Sequence, residues 1–157
     1  MELLVLTVSD RAFGGIYEDR SGPALSDALR KGISGSRVTG KIVPDDPATI
    51  ERAFTENLDK DVIVTTGGTG LGPRDSTPEV TARFCDRLVP GIAEALRAAS
   101  GAETPNAMLS RGVAGVKGRT LIINLPGSVK AAVFCAGILA PVLPHALNMM
   151  AGGDHAA

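Results

Sequence analysis

Residues 62–79 read VIVTTGGTGLGPRDSTPE, and this stretch decides the fold class. It begins with a short run of apolar and β-branched residues, which is typical of a strand that is covered on both faces. It continues into a glycine-rich loop and ends in STPE, where a capping hydroxyl and a proline are typical of the first turn of a helix. A buried strand, a loop and a helix in this order indicate an α/β protein with a parallel sheet.

The rest of the chain repeats this alternation. Further strands are predicted at Leu3–Val8, Lys41–Val43 and Thr120–Leu125, beside Val62–Thr66. Helices are predicted at Ser21–Lys31, Pro47–Leu58, Thr77–Leu88, Pro90–Ala99 and from about Ser128 to Met150, the last of them kinked or interrupted by Pro141 and Pro144. Residues Gly101–Gly118 have no assigned element and are compatible with a loop that contains a short hairpin. The sequence therefore predicts a single domain over residues 1–157, with helices on both faces of a mostly parallel sheet.

The composition limits the classes of function. The chain carries 16 basic and 17 acidic side chains, so its net charge of -1 gives no positive field that would hold a nucleic acid. Aromatic residues make up 3% of the chain, which leaves little to stack on bases. The longest apolar run, Ala131–Leu143, is broken by Pro141 and is shorter than the ~20 residues of a membrane span. With no secretory signal evident, we expect a cytoplasmic protein without nucleic-acid or membrane partners.

The cysteines and histidines give little support for other chemistry. Cys85 and Cys135 match no metal-binding or CxxC spacing, and we expect small buried hydrophobes in a reducing cytosol rather than a disulfide. We expect His145 to be structural or partly exposed, and His155 to lie in a frayed tail. No Ser/His/Asp or Cys/His arrangement emerges that would support covalent catalysis.

Polar residues follow each of the predicted strands. In chain order they are Ser9-Asp10-Arg11, Pro44-Asp45-Asp46, Thr66–Gly70 and Asn124–Gly127. The carboxyl ends of parallel strands share one edge of the sheet, and ligands bind at that edge. We therefore expect the four strand ends to converge on one crevice.

The loop after the third strand is suited to an anion. Gly67, Gly68 and Gly70 let the backbone approach a ligand closely, with successive N–H groups pointing at it. The Thr69 hydroxyl and the positive end of the following helix add to this. The loop matches neither a Walker A sequence nor the GxGxxG pattern of dinucleotide binding. It predicts a phosphate cradle, although a tight strand-to-helix turn would need the same glycines.

Two acids lie just past the second and third predicted strands. Asp45 and Asp75, beside a phosphate cradle, are the kind of ligands that Mg²⁺ uses together with a nucleoside triphosphate. Each could instead have a simpler structural role. Asp45 or Asp46 could cap the next helix, and Asp75 could pair with Arg74 or cap the helix that follows it.

Two further features could touch the same ligand. The polar loop over residues 9–23 either binds a ligand or is a solvated connection. Arg111 either grips a phosphate with two N–H groups or is an ordinary surface charge.

Six stretches taken together resemble the MogA/MoaB family of molybdenum-cofactor biosynthesis, which includes the G domains of gephyrin and of its plant counterpart. In chain order, between residues 5 and 128, they read VSDRAFGGIYEDRSGPAL, VPDD, TTGGTGLGPRDSTPE, PGIAEALR, AMLSRGVAGVKG and TLIINLPGS. The combination of TTGGTG, PRDxTPE and NLPG is specific, whereas each motif alone would be weak.

The resemblance implies a fold and an activity. The fold would be a three-layer α/β/α sandwich with a mostly parallel sheet, assembled as a homotrimer. The enzyme would bind molybdopterin and Mg-ATP, transfer AMP to the molybdopterin phosphate, release pyrophosphate and hand the product to a molybdate-inserting protein. Some family members bind pterin without adenylating it, so a pterin-binding scaffold is the alternative. A different nucleotide-dependent enzyme on a similar sheet is a weaker one.

The residues and the resemblance together assign roles. The family's two essential acids match Asp45 and Asp75, which we expect to hold Mg²⁺ and to carry catalysis. Substrate binding is expected at Ser9, Asp10, Gly67, Gly68, Thr69, Gly70, Ser100, Ser110, Arg111, Asn124, Pro126 and Gly127. Because two anions must be brought together, we expect positioning and charge neutralisation to carry most of the rate, without a covalent intermediate.

Overall fold

The computed structural model describes residues 1–153. Within them the strands are Glu2–Val8 (β1), Arg37–Val43 (β2), Val62–Thr66 (β3), Arg87–Leu88 (β4), Ala114–Lys117 (β5) and Thr120–Leu125 (β6). The α-helices are Asp10–Phe13 (α1), Ser21–Gly32 (α2), Pro47–Thr55 (α3), Thr77–Phe84 (α4), Pro90–Glu103 (α5), Val129–Leu139 (α6) and Leu143–Met150 (α7), with a 3₁₀ helix at Pro105–Leu109. His155 and its predicted fraying lie outside the described residues.

The strands form one sheet in the order β2-β1-β3-β6-β5-β4. The first four of these run parallel; β5 is antiparallel to β6, and β4 is antiparallel to β5. At the carboxyl end of the parallel part, Val8 lies opposite Val43, and Thr66 lies opposite both Thr7 and Leu125. The polar residues after β1, β2, β3 and β6 therefore start from the same edge, as the sequence predicted.

Helices cover both faces of the sheet because alternate residues of each strand point to opposite sides. On one face, Leu3 and Val5 of β1 belong to a core that includes residues of α2, α5, α6 and α7. On the other face, Leu4 and Leu6 pack with residues of α3 and α4, among which Phe54 is fully buried. The fold is the three-layer α/β/α sandwich expected from the sequence.

The structure corrects the end of α4. This helix ends at Phe84 rather than at Leu88, because the chain turns there to form β4, which pairs with β5. The turn is held by the backbone N–H of Asp86, which donates to the carbonyl of Val116 at 2.8 Å. The two residues of β4 are exposed, and for that reason their sequence carries no strand pattern.

Other boundaries differ less. The third helix ends at Thr55 rather than at Leu58, where the amide of Asn57 donates back to the carbonyl of Ala53. The fifth helix runs on to Glu103, before Pro105 prevents its continuation. Strand β2 begins four residues earlier than predicted, at Arg37, because its first half lies at the exposed edge of the sheet and lacks an apolar run.

The unassigned segment Gly101–Gly118 holds the end of α5, the 3₁₀ helix and β5. Strand β5 forms a hairpin with β6 through Gly118, whose φ of 55° is the left-handed conformation that glycine adopts without strain. The segment therefore supplies one strand of a hairpin, and the other strand, β6, lies outside it.

The long apolar stretch at the end of the chain is two helices, as its prolines predicted. Helices α6 and α7 meet at an angle of 58°, and Pro144 occupies the first turn of α7. Within residues 1–153 no single helix is long and apolar enough to cross a membrane. The bent pair α6 and α7 has that length and composition only when the two helices are counted together.

Candidate functional site

The ends of the parallel strands are tied to one another. The N–H of Ser9, just after β1, donates to the carbonyl of Val43 at the end of β2. The N–H of Gly67, just after β3, donates to the carbonyl of Leu125 at the end of β6. The polar segments that follow these strands therefore begin in register and share one edge of the sheet.

Asp45 stands at the centre of this edge and is not a helix cap. Its Oδ2 accepts a hydrogen bond from the backbone N–H of Asp10 at 2.8 Å. The cap of α3 is Asp46, which accepts from the backbone N–H and the hydroxyl of Thr49 at 2.8 and 2.6 Å. Of the two alternatives that the sequence left open, the structure thus assigns capping to Asp46, and Asp45 is left for another role.

Burial and two nearby acids disfavour the charged form of Asp45. Burial raises the pKa of its carboxyl, and repulsion from Asp10 and Asp75 raises it further. The hydrogen bond from the N–H of Asp10 and the charge of Arg74 act in the opposite direction. Negative charge concentrated in a half-buried place indicates a site suited to a cation.

The glycine loop lies against the ends of the strands. Gly67 has a φ of 103°, and a Cβ there would lie 2.3 Å from the carbonyl oxygen of Val8. Gly68 has a φ of 63°, and a Cβ there would lie 2.3 Å from Oγ1 of Thr77 and 3.2 Å from Oδ1 of Asp45. Bare backbone is required at both positions, and Gly68 brings the loop into contact range of the carboxylate.

Asp75 sits inside the same loop. Its Oδ2 accepts from the N–H of Gly72 at 2.8 Å, and a Cβ on Gly70 or Gly72 would come within 2.9 Å of that oxygen. Neither simple alternative from the sequence holds: Arg74 pairs with another acid, and α4 has no side-chain cap. Asp75 therefore shapes the loop and keeps its second oxygen, Oδ1, outside this bond.

Arg74 is a site residue that the sequence analysis missed. Its Nε and one terminal nitrogen donate to Oδ2 and Oδ1 of Asp10 at 3.0 and 2.9 Å. The two residues are far apart in sequence, and Arg74 lies beyond the strand-end segment Thr66–Gly70, so no sequence signal indicated the pair.

Arg111 has neither of the two roles expected from the sequence, phosphate binding or an ordinary surface charge. Its guanidinium donates to the carbonyl oxygens of Gly70 and Asp75, both at 2.6 Å, and to the carboxylate of Glu79. Its own N–H donates to the carbonyl of Thr69 at 2.9 Å. All three nitrogens of its guanidinium are bonded to protein groups, so none is left for a phosphate in this structure. Arg111 fixes the glycine loop between Thr69 and Asp75.

A cavity of about 160 Å³ opens beside the crevice. Four predicted site residues line it: Ser100, Ser110, Asn124 and Pro126. Its other walls are mostly apolar and include Ala93, Leu96, Ala131 and Cys135, with Arg97, Thr104 and Asn106 as polar members that the sequence analysis did not single out. An apolar cavity with a few polar groups is typical of a small-molecule site.

Asn124 lines this cavity and bonds to three neighbouring segments. Its side-chain amide donates to the hydroxyls of Thr65 and Thr81 at 3.1 and 2.9 Å, and its Oδ1 accepts from the N–H of Val113. These bonds hold the end of β6 to its neighbours. The structure thus gives Asn124 a positioning role, and direct contact with substrate stays a prediction.

The remaining predicted residues also lie around the crevice. Ser9 caps α1 by accepting from the N–H of Ala12, and its hydroxyl is 3.2 Å from that of Tyr17. Thr69 is buried. A Cβ on Gly127 would lie 3.2 Å from Cα of Gly67, so these two glycines are packed together.

The two cysteines lie on different faces of the sheet. Cys135 belongs to the core beside α2 and α6, 3.7 Å from the hydroxyl of Ser100, whereas Cys85 packs on the core beside α3 and α4. Burial raises the pKa of both thiols, that of Cys85 to about 11. Both cysteines are free and face separate cores. His145 is exposed near the apolar groove between α5 and α7, away from the strand ends.

The donor set suits Mg²⁺ held together with a phosphorylated ligand. Within residues 1–153, no three His, Cys, Asp or Glu side chains are arranged to hold a metal ion by themselves. Mg²⁺ typically takes one or two carboxylates and completes its coordination with phosphate oxygens and water. The half-buried Asp45, in the field of Asp75 and next to the glycine loop, fits that requirement.

Known proteins share this sequence and fold. The family model described as a probable molybdopterin binding domain matches residues 4–145. The molybdopterin adenylyltransferase of Helicobacter pylori is 40% identical over 152 residues, which cover 94% of this chain and 86% of that protein. The molybdenum cofactor synthesis protein cinnamon of Drosophila melanogaster is 39% identical over 149 residues, which cover 93% of this chain but 25% of that longer protein.

A solved structure has a similar fold over nearly all of the chain. The molybdopterin biosynthesis enzyme MoaB from Thermus thermophilus is 46% identical, with a TM-score of 0.87 over 96% of each chain. The similarity therefore covers the whole crevice and both layers of helices.

Proposed function

Because the chain belongs to the family of probable molybdopterin binding domains, we propose that it is a molybdopterin adenylyltransferase. The reaction joins AMP from ATP to the terminal phosphate of molybdopterin and releases pyrophosphate. The relative from Helicobacter pylori carries the name of this activity and matches 94% of the chain.

One observation carries the proposal: a pair of acids and a glycine loop meet at one edge of the sheet, next to an apolar cavity. Asp45 and Asp75 interact electrostatically, and the backbone of Gly68 and Gly70 passes close to their carboxylates. The cavity has Ser110 and Asn124 in its walls, and both belong to segments that contact this edge. The site therefore offers separate places for phosphates and for a flat heterocyclic ring system.

The residues divide the work between binding and charge control. Asp45 and Asp75 would hold Mg²⁺, which when bound neutralises phosphate charge. The N–H groups of the glycine loop other than those of Gly67 and Gly72, which bond to Leu125 and Asp75, would hold phosphate oxygens, and Arg111 would keep that loop in shape. The cavity would take the pterin, with the hydroxyls of Ser100 and Ser110 near it. Two anionic reactants repel each other, so holding them together against that repulsion supplies most of the acceleration.

Pyrophosphate release tests the proposal. The wild-type protein with molybdopterin and ATP is expected to release pyrophosphate in the presence of Mg²⁺ and to stop when EDTA is added. Asp75→Asn keeps an oxygen for the N–H of Gly72 but loses the charge, so we expect turnover to fall by at least about 100-fold, with little change in unfolding temperature. Asp27→Asn, in an exposed pair with Arg30, is the matched control and is expected to turn over like wild type.

The result also separates the enzyme from the pterin-binding scaffold. A protein that binds molybdopterin but releases no pyrophosphate under any of these conditions would be the scaffold. Near wild-type turnover in Asp75→Asn would remove Asp75 from the metal site.

We propose a homotrimer as the state in which this protein works. Several large apolar side chains are exposed on and near the last helix, including Leu88, Val142 and Met149. Val142 and Met149 border a groove of about 350 Å³ between α5 and α7, whose walls are mostly apolar. Sedimentation equilibrium should report three copies, and a monomer at micromolar concentration would exclude the trimer. The single domain over residues 1–157, the cytoplasmic location and the transfer of product to a molybdate-inserting protein stay predictions.

A further inference from the structure

Arg74 occupies an unusual position between the two halves of the crevice. It is carried by the glycine loop after β3, yet its guanidinium is bonded to Asp10, which follows β1, at 3.0 and 2.9 Å. The side chain is 65% exposed, and within residues 1–153 Asp10 is its hydrogen-bond partner. Its charge also opposes the rise in the pKa of Asp45 and helps to lower the pKa of Asp46, so its field reaches the acids beyond its partner.

The contrast with Arg111 is informative. Three N–H groups of Arg111 are bound to two carbonyl oxygens and to Glu79, so moving its guanidinium would break up the loop. Arg74 contacts a single exposed carboxylate. The pair is bidentate, which strengthens it, but both partners are exposed to solvent, so it can open without breaking up the loop.

Asp10 does not depend on Arg74 for its position. Its Oδ1 also accepts from the backbone N–H of Asp45 at 3.0 Å, and its own N–H donates to Asp45. The departure of Arg74 would therefore leave the ends of β1 and β2 joined. The structure thus has a cation that can leave and an acid that stays in place.

We propose that Arg74 is an exchangeable counter-ion: it neutralises the acids in the free protein and moves to the phosphates of the bound nucleotide when a divalent cation binds at Asp45 and Asp75. The two cations repel each other, so the entry of one favours the departure of the other. A phosphate gives the planar guanidinium two oxygens and more charge than Asp10 does. The proposal rests on the proposed function for the identity of the nucleotide.

Titration with Mn²⁺ in the absence of nucleotide tests the first half. Free Mn²⁺ is measured by electron paramagnetic resonance for wild type, Arg74→Gln, Arg74→Lys and Arg83→Gln. Removing the tethered charge should make Arg74→Gln bind Mn²⁺ about fivefold more tightly than wild type, because a surface ion pair no longer competes. Arg74→Lys keeps the charge and should stay close to wild type. Arg83, in a similarly exposed pair with Glu51 on α3, controls for the change in net charge.

Binding of ATP with Mg²⁺, measured by calorimetry, tests the second half. Arg74→Gln should bind the nucleotide at least about tenfold more weakly, because a charge-assisted hydrogen bond is lost. The signature of the exchange is therefore a pair of effects with opposite signs in one variant: tighter metal binding and weaker nucleotide binding.

Several results would overturn this exchange. They are unchanged or absent Mn²⁺ binding in Arg74→Gln, unchanged ATP affinity in that variant, and effects of equal size in Arg83→Gln. Neither titration needs turnover. If the wild type releases no pyrophosphate but the opposite-sign pair is observed, the adenylyl transfer is refuted and the exchange by Arg74 is not.

Discussion

Asp10 and Asp45 exchange hydrogen bonds across the ends of two neighbouring strands. The N–H of Asp10 donates to Oδ2 of Asp45 at 2.8 Å, and the N–H of Asp45 donates to Oδ1 of Asp10 at 3.0 Å. Each carboxylate thus satisfies a backbone donor that the sheet leaves unpaired at the end of the other strand. One oxygen of Asp45 is used in this way, and the other lies on the side of Gly68. The same residue pair therefore closes the sheet edge and presents an oxygen to the crevice.

Substitutions of the adjacent acids Asp45 and Asp46 should have different effects, the first on turnover and the second on stability. Asp45→Asn keeps an oxygen for the N–H of Asp10 but removes the charge that would hold Mg²⁺, so we expect pyrophosphate release to fall by at least about 100-fold. Asp46→Ala removes the cap of α3 and its two bonds to Thr49, so it should lower the unfolding temperature and leave turnover close to wild type. Pyrophosphate assays and thermal unfolding of both variants check this. Equal effects of the two substitutions on both measurements would contradict the assignment.

Substitution of Arg111 should distinguish loop support from phosphate binding. Arg111→Met removes the bonds to the carbonyls of Gly70 and Asp75, so we expect a loss of about 2 kcal/mol in the free energy of unfolding together with a fall in kcat. Arg111→Lys should recover part of the stability at most, because one ammonium group cannot span both carbonyls. Urea unfolding and steady-state kinetics are the measurements. A higher KM for ATP at unchanged stability would instead favour the phosphate contact predicted from the sequence.

The sequence was sufficient for the parallel part of the sheet and for its functional edge. Val62–Thr66 and Thr120–Leu125 are runs of apolar and β-branched residues that are buried on both faces, a pattern typical of the inner strands of a parallel sheet. Once these strands are parallel, the residues after them must share an edge, so the grouping of Asp45 with the glycine loop follows from topology alone.

The sequence was insufficient where a contact depends on the path of a loop. Arg74 meets Asp10, rather than the adjacent Asp75, because the bend at Gly72 turns the carboxylate of Asp75 back onto the loop. For the same reason the role of Arg111 could not be deduced from its neighbours in sequence. Strand β4 was missed because two exposed residues have no periodicity to detect.

Filling the apolar cavity should affect one substrate only. Ala131 lines the cavity from α6, so the larger side chain of Ala131→Leu would occupy space that we assign to the pterin. We expect the KM for molybdopterin to rise about tenfold, which is the size of effect that a few misplaced methylene groups have on binding, with the KM for ATP unchanged. Ala95→Leu makes the same change on an exposed face of α5 and should leave both constants as in wild type. A rise in the KM for ATP alone would place the nucleotide in this cavity.

The raised pKa of Asp45 predicts that its ionised carboxylate lowers the free energy of unfolding of the metal-free protein at neutral pH. Burial, together with the charges of Asp10 and Asp75, raises the pKa of this carboxyl above 3.8, although Arg74 and the N–H of Asp10 oppose the shift. Below pH 3.8 the carboxyl is protonated in the folded and unfolded chain alike, and ionisation imposes no penalty. The carboxyl ionises at a lower pH in the unfolded chain than in the folded protein. Stability is therefore lost as the pH rises through the folded-state pKa. Urea unfolding in EDTA should therefore show Asp45→Asn gaining stability over wild type between pH 3 and pH 7. If the two proteins differ in free energy of unfolding by the same amount at pH 3 and pH 7, ionisation of Asp45 does not destabilise the fold, and this prediction is wrong.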